Sequence, residues 1–126
     1  MIVGLGTDIA EIARVADVYE SMSDDFINRI LTDSEKQRIP KNSDLVPAYL
    51  AKRFAVKEAA AKALGTGFRE GVSFLDFSTT HDDLGAPSLI VTDKAAEIAA
   101  QKGIVQWHVS ISDEKHYAIA TVIAEK

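Results

Sequence analysis

The apolar and polar positions change period several times along the chain, and each change marks an element. Ile2 to Thr7 alternates as a strand, with Val3, Leu5 and Thr7 on one face and Ile2, Gly4, Gly6 and Asp8 on the other. The two glycines strip that second face, which in a strand marks close approach of a ligand or of another backbone. From Ile9 the period lengthens to that of a helix, and Ile9, Ile12, Val15 and Tyr19 form its apolar stripe. Asp8-Ile9-Ala10-Glu11 has the form of an N-cap with an acid at the third helical position, so Asp8 reads either as a helix cap or as a metal ligand. Asp24 to Arg38 reads as broken helix. Thr32-Asp33-Ser34-Glu35 is a capping box that restarts it, and Pro40 stops it before a polar connection from Lys41 to Leu45.

The strongest helix former follows and ends at Leu64, with Pro47 suited to its first turn and Gly65 to a left-handed C-terminal residue. Leu50, Phe54, Ala61 and Leu64 share a face that would meet a core. Lys52, Arg53, Lys57 and Lys62 crowd the same segment, with Glu58 the one acid among them. Arg53 and Lys57 sit one turn apart and repel, whereas Glu58 and Lys62 form an ion pair in the favourable order. The two pairs point roughly 140° apart around the axis. The segment is therefore either a solvated helix with one ion pair or a surface for an elongated polyanion. Gly65-Thr66-Gly67 through Gly71 is a glycine-rich turn, read as a plain C-cap and loop or as a phosphate cradle.

Ser73 to Thr79 and Ser88 to Val91 read as strands joined by Asp82-Asp83-Leu84-Gly85. Thr92 is expected to cap a helix through Lys102 that Gly103 ends. Val105 to Ser112 alternates cleanly, with Val105, Trp107, Val109 and Ile111 on one face and Gln106, His108, Ser110 and Ser112 on the other. After a turn from Ser112 to His116, Tyr117 to Ala124 is a last buried strand. The expectation is one α+β domain over 1–126, with helices packed on one face of a mainly antiparallel sheet.

Charge narrows the function. Against 14 basic residues stand 19 acidic ones, a net charge of −5, which argues against a general nucleic-acid binder and makes the cluster at 52–62 conspicuous. Zero cysteines exclude a disulfide framework and thiol chemistry, and the cytoplasm is the natural compartment. No apolar run approaches the roughly 18 residues of a membrane span, and Met1-Ile2-Val3-Gly4 opens a strand rather than a signal peptide. His108 and Ser110 lie on a ligand-facing or a solvent-facing strand surface; His81 and His116 fall in turns. No histidine has zinc spacing, and no serine sits in a nucleophile elbow. Carboxylate-plus-phosphate chemistry stays open. Mg²⁺ typically takes one or two protein carboxylates and completes its shell with water and substrate phosphate, for which Asp8 and Glu58 suffice.

Gly4-Leu5-Gly6-Thr7-Asp8-Ile9, the run Arg53-Phe54-Ala55-Val56-Lys57-Glu58-Ala59-Ala60-Ala61-Lys62-Ala63-Leu64-Gly65-Thr66-Gly67, and His108-Val109-Ser110-Ile111-Ser112 together resemble the holo-[acyl-carrier-protein] synthases, the small bacterial 4'-phosphopantetheinyl transferases. The resemblance covers the whole chain in order. It implies the transferase fold, coenzyme A as donor, a serine of acyl carrier protein as acceptor, and a setting in fatty acid biosynthesis. It implies Mg²⁺ on Asp8 and Glu58, and Lys62 at the pyrophosphate with a catalytic part. Arg53, Gly65, Thr66, Gly67, His108 and Ser110 would contact coenzyme A. The family forms homotrimers with active sites at subunit boundaries. Its partner-binding region corresponds to Arg14, Phe26, Ile27 and Arg29. The family usually presents a basic first-helix region, whereas here Glu20, Asp24 and Asp25 sit between the two arginines.

Overall fold

A long helix, α3 (Val46–Leu64), lies across one face of a three-stranded antiparallel sheet in the computed structural model, which describes residues 1–126. The sheet has the order β1 (Ile2–Glu11), β5 (Tyr117–Glu125), β4 (Gln106–Asp113), with β5 in the middle. A separate hairpin pairs β2 (Phe77–His81) with β3 (Pro87–Val91), so the strands form two sheets rather than one. The remaining helices are α1 (Ile12–Ile30), α2 (Asp33–Lys36) and α4 (Asp93–Gln101). The expected α+β class, with a helix layer on one face, is what forms.

The register explains why α3 comes so close. Cross-strand rows on the inner face read Gly4–Ala124–Trp107, Gly6–Val122–Val109 and Asp8–Ala120–Ile111. A Cβ on Gly4 would stand 1.9 Å from the Ala63 carbonyl oxygen, and one on Gly6 would stand 1.9 Å from that of Ala59. The bare glycine face therefore receives the backbone of α3 itself. Alanines at 118, 120 and 124 are buried beside it, and Leu50, Val56 and Leu64 of α3 are wholly buried. Each of those three contributes roughly 1.5–3 kcal/mol. As expected, Pro47 sits in the first turn of α3 and Gly65 ends it at φ 90°.

The outer face of this sheet carries no layer. Its rows read Leu5–Ile123–His108, Thr7–Thr121–Ser110 and Ile9–Ile119–Ser112, and Leu5 and Ile9 are 66% and 61% exposed.

Several boundaries differ from the sequence reading. β1 continues through Glu11 because Asp8 to Glu11 pair in turn with Ala120 to Tyr117. Asp8 is therefore a mid-strand residue and not a helix cap; the cap position falls to Glu11, whose side chain makes no capping bond. Ile9 belongs to the outer sheet face and not to the stripe of α1. α1 runs unbroken to Ile30 apart from a kink at Ser23. The Thr32–Glu35 capping box forms as expected. Phe74–Asp76 is a 3-10 turn rather than strand. The side chain of Thr92 does not cap α4; Asp76 Oδ2 accepts the Ala95 N–H at 3.1 Å instead.

The largest departure is Lys57. It is not part of an exposed basic cluster: Lys57 is 0% and Glu35 1% exposed, paired at 2.7 Å. Lys57 Nζ also donates to the carbonyl of Ile30, the last residue of α1. Glu35 Oε1 accepts the Thr32 N–H at 3.0 Å, and Oε2 accepts the Thr79 N–H at 3.1 Å. One buried pair thus ties the ends of α1 and α2 and the middle of β2 to the middle of α3. Burial pushes the Lys57 ammonium below the usual lysine range, against the pull of Glu35.

Candidate active site

Asp8 projects from the inner face of β1 toward α3, where Glu58 and Lys62 stand one turn apart. Lys62 Nζ crosses to the strand, donating to Asp8 Oδ1 at 3.3 Å and to the Thr7 carbonyl at 2.9 Å. Its ion-pair partner is therefore Asp8 and not Glu58, four residues back on its own helix. Burial raises the Glu58 carboxyl above its ordinary range and Asp8 raises it further, with Lys62 opposing. Burial likewise raises Asp8, again opposed by Lys62. Two desolvated carboxylates face one lysine, and no third Asp, Glu, His or Cys joins them in a ligand cluster. The three groups sum to −1, one positive charge short of neutrality, and both carboxylates offer oxygens of the kind that hard cations take.

Arg53 sits on the same sheet face. Its guanidinium lies 4.9 Å from the centre of the Tyr49 ring, and its Nε and Nη1 are buried without a hydrogen-bond partner. The side chain lines a polar pocket of about 150 Å³ with Lys52, His81, Gly85, Pro87, Ile111 and Asp113. Only Asp113 brings negative charge among them, 3.9 Å from Lys52. Burial and then the charges of Arg53, Arg38 and Lys52 hold His81 below the usual histidine range. Unpaired buried guanidinium nitrogens carry a desolvation cost that an anion would relieve. Ile111 lies in the same cross-strand row as Asp8, two strands away, so the pocket and the carboxylates are roughly 10 Å apart in strand spacing.

The turn after α3 is spent partly on the helix. Gly65 N–H donates to the carbonyls of Ala61 and Lys62, and Gly67 N–H to Ala61. Thr66 Oγ1 donates to the Gly67 carbonyl at 2.8 Å. Lys102 Nζ donates to the Leu64 carbonyl and closes the helix end from α4.

His108 and Ser110 stand on the outer face, opposite Asp8, Glu58 and Lys62. His108 Nε2 is 2.9 Å from Glu125 Oε1, and that hydrogen bond lowers the Glu125 carboxyl below its usual range. One chain thus brings Asp8, Glu58 and Lys62 together, with Arg53 on the same face, and keeps His108 and Ser110 apart from them. On α1, Arg14 and Arg29 are exposed and free of ion pairs. Arg29 and Phe26 line a groove of about 340 Å³ with Val18, Met22, Phe54 and Phe74. Ile27 packs partly buried against the core.

Sequence reasoning missed Tyr49 and Glu125. The i,i+4 spacing of Tyr49 and Arg53 signals the first contact. Nothing local signals the second, which depends on the register of β4 and β5.

The model of the 4'-phosphopantetheinyl transferase superfamily matches residues 4–122. The holo-[acyl-carrier-protein] synthase of Vibrio cholerae is 55% identical over 126 residues, covering 100% of this chain and 99% of that one. The crystal structure of holo-[acyl-carrier-protein] synthase from Neisseria meningitidis superposes with a TM-score of 0.91 at 40% identity, covering 100% of both chains. A Bacillus anthracis holo-(acyl-carrier-protein) synthase in complex with CoA (3',5'-ADP) superposes with a TM-score of 0.78 at 40% identity, covering 98% of this chain and 96% of that one. The chain belongs to the 4'-phosphopantetheinyl transferase superfamily and, within it, to the holo-[acyl-carrier-protein] synthases.

Proposed function

We propose that this chain transfers 4'-phosphopantetheine from coenzyme A to a serine of apo acyl carrier protein in a Mg²⁺-dependent reaction, in the cytoplasm, releasing adenosine 3',5'-bisphosphate. The convergence of Asp8, Glu58 and Lys62 between β1 and α3 carries the reading. Two carboxylates without nitrogen or sulfur ligands suit a hard divalent ion, and Asp8 and Glu58 would hold it. When bound, Mg²⁺ supplies Lewis-acid neutralisation of pyrophosphate charge.

The chain's own groups do the rest. Lys62 brings a cation to the pyrophosphate as the serine oxygen–phosphorus bond forms and the phosphorus–oxygen bond to the departing bisphosphate breaks, with the electron pair passing to that leaving group and the serine proton released to solvent water. Preorganised charge of this kind supplies most of the catalysis in phosphoryl transfer. Arg53, with two unpaired nitrogens in a cationic pocket, takes another phosphate of coenzyme A. Gly65, Thr66 and Gly67 border the donor next to Lys62. Mass spectrometry of apo carrier protein incubated with coenzyme A and Mg²⁺ tests the reading. A gain of one phosphopantetheine group is expected; no gain would leave a noncatalytic binder or a different pyrophosphate-ester enzyme.

The assembly completes the site. We infer a homotrimer in which the exposed Leu5, Ile9 and Ile119 face packs against its neighbours. An apolar sheet surface of this kind marks an interface. The glycine face gives no support, since α3 covers it. His108 and Ser110, on the outer face, would then serve the coenzyme A of an adjoining subunit. Sedimentation should give one species near three times 13.7 kDa. Leu5→Arg should give monomers with little activity; a fully active monomer would rule out shared sites.

Carrier protein docks at α1. Arg14 and Arg29 offer bidentate donors to its carboxylates, and Phe26 presents an apolar groove beside them, with Ile27 as its core-side support. Arg14→Glu should raise the KM for carrier protein about fivefold, the upper worth of an exposed pair, and leave that for coenzyme A unchanged. Added NaCl should weaken carrier binding more in the wild type than in the variant. A rise in the coenzyme A KM alone would move docking elsewhere.

A further inference from the structure

The position of Lys62 carries one inference more, which rests on Asp8 and Glu58 being the metal site. The helix offers Lys62 a partner at the favourable spacing, Glu58, yet the ammonium lies on Asp8 Oδ1 at 3.3 Å and on the Thr7 carbonyl at 2.9 Å. A main-chain carbonyl and a carboxylate oxygen on one strand are the ligand types a hard cation takes. Asp8 is the more enclosed partner, its side chain 17% exposed against 52% for Lys62. The mobile half of the pair is therefore the lysine, whose flexible stem carries a compact, strongly hydrated charge. Asp8, Glu58 and Lys62 sum to −1. A divalent ion on the two carboxylates neutralises them without the lysine and leaves its charge surplus, next to the pyrophosphate.

We propose that Lys62 is the resident counter-cation of the metal site. It holds the Asp8 and Thr7 oxygens while the site is empty of metal, and moves to the coenzyme A pyrophosphate when metal and donor bind. Lys62 then opposes metal binding in the absence of coenzyme A, and that opposition falls away once coenzyme A draws the ammonium to its pyrophosphate; a purely phosphate-binding lysine would leave metal binding without coenzyme A unaffected.

The test measures binding, not turnover. Mn²⁺, which suits the same oxygen ligands, is titrated into wild type, Lys62→Met and Lys62→Arg, and free Mn²⁺ is read from its paramagnetic resonance signal. Melting curves on the same samples establish that the variants are folded. Without coenzyme A, Lys62→Met should bind Mn²⁺ roughly fivefold tighter than wild type, as removal of an exposed competing pair allows, and Lys62→Arg should stay close to wild type. With saturating coenzyme A, which draws the wild-type ammonium off Asp8, the advantage of Lys62→Met should shrink, and an undiminished advantage overturns the move to the pyrophosphate. Equal or weaker Mn²⁺ binding by Lys62→Met without coenzyme A overturns the exchange but leaves Asp8 and Glu58 as the metal site. Absence of Mn²⁺ binding by wild type and variants alike, with and without coenzyme A, overturns both.

Discussion

Glu58→Gln should lose transfer activity by about a thousandfold and yet melt at a higher temperature than wild type at neutral pH. Glutamine keeps the volume of the side chain and one oxygen but removes the charge. If Glu58 is half of the protein's contribution to the metal, its loss removes about 4 kcal/mol of charge stabilisation in the transition state, which is the thousandfold. The gain in stability follows from the direction in which the carboxyl is shifted. Burial first and Asp8 second raise it above its ordinary range, while Lys62 works against them. A carboxyl raised in the folded chain contributes stability that is fully present below its unfolded value and is lost as pH rises through the folded one. At pH 7 the wild type has lost that contribution, and glutamine, neutral throughout, has not. The melting difference should therefore shrink as pH falls toward 4 and the wild-type carboxyl takes up its proton. Full activity in the variant would end the assignment of Glu58 to the metal. A lower melting temperature at neutral pH would mean that Glu58 stabilises α3 through Lys62, as the helix spacing alone expects.

That contrast shows where the sequence was readable. Helix α3 was legible because its signals are local: alanine-rich composition, Pro47 at its start, Gly65 at its end. The alternation of β4 correctly set Trp107, Val109 and Ile111 against His108 and Ser110, since strand period needs no knowledge of neighbours. The nearness of Asp8 to Glu58 and Lys62 came from the family resemblance, and no spacing argument yields it, because it depends on α3 crossing β1 where Gly6 meets Ala59. Asp8 was misread as a possible cap for the same reason. A capping pattern was present, but pairing with β5 carried the strand three residues beyond Asp8, and tertiary pairing outweighs a local preference. Lys57 is the plainest case. Helical spacing put it beside Arg53 as a repelling surface cation, whereas its true partner, Glu35, lies on a different helix. The capping box around Glu35 was legible, and it formed; that the same carboxylate would also receive a buried lysine was not.

The second large effect is expected at that lysine. Lys57→Met should destabilise the fold by about 3–5 kcal/mol, because it leaves the Glu35 carboxylate buried beside a thioether with no countercharge. For a chain of this length, between the size classes that move roughly 2–4 and 4–8 °C per kcal/mol, the melting temperature should fall by at least about 10 °C. Glu35→Gln alone should also be costly, since it leaves a buried ammonium with no countercharge and only neutral carbonyls, that of Ile30 among them, to accept from it. The double variant Glu35→Gln, Lys57→Met should recover much of the loss. It removes both charges, and the glutamine carbonyl can still accept from the Thr32 or Thr79 N–H groups that now bond Glu35. Thermal melts of the four proteins close a double-mutant cycle, and the pair is coupled if the double variant is more stable than the sum of the singles requires. Additive losses would mean that each side chain acts alone. A loss below about 1 kcal/mol for Lys57→Met would mean that the pair behaves as a solvated surface bridge, which 0% and 1% exposure of its two partners does not allow.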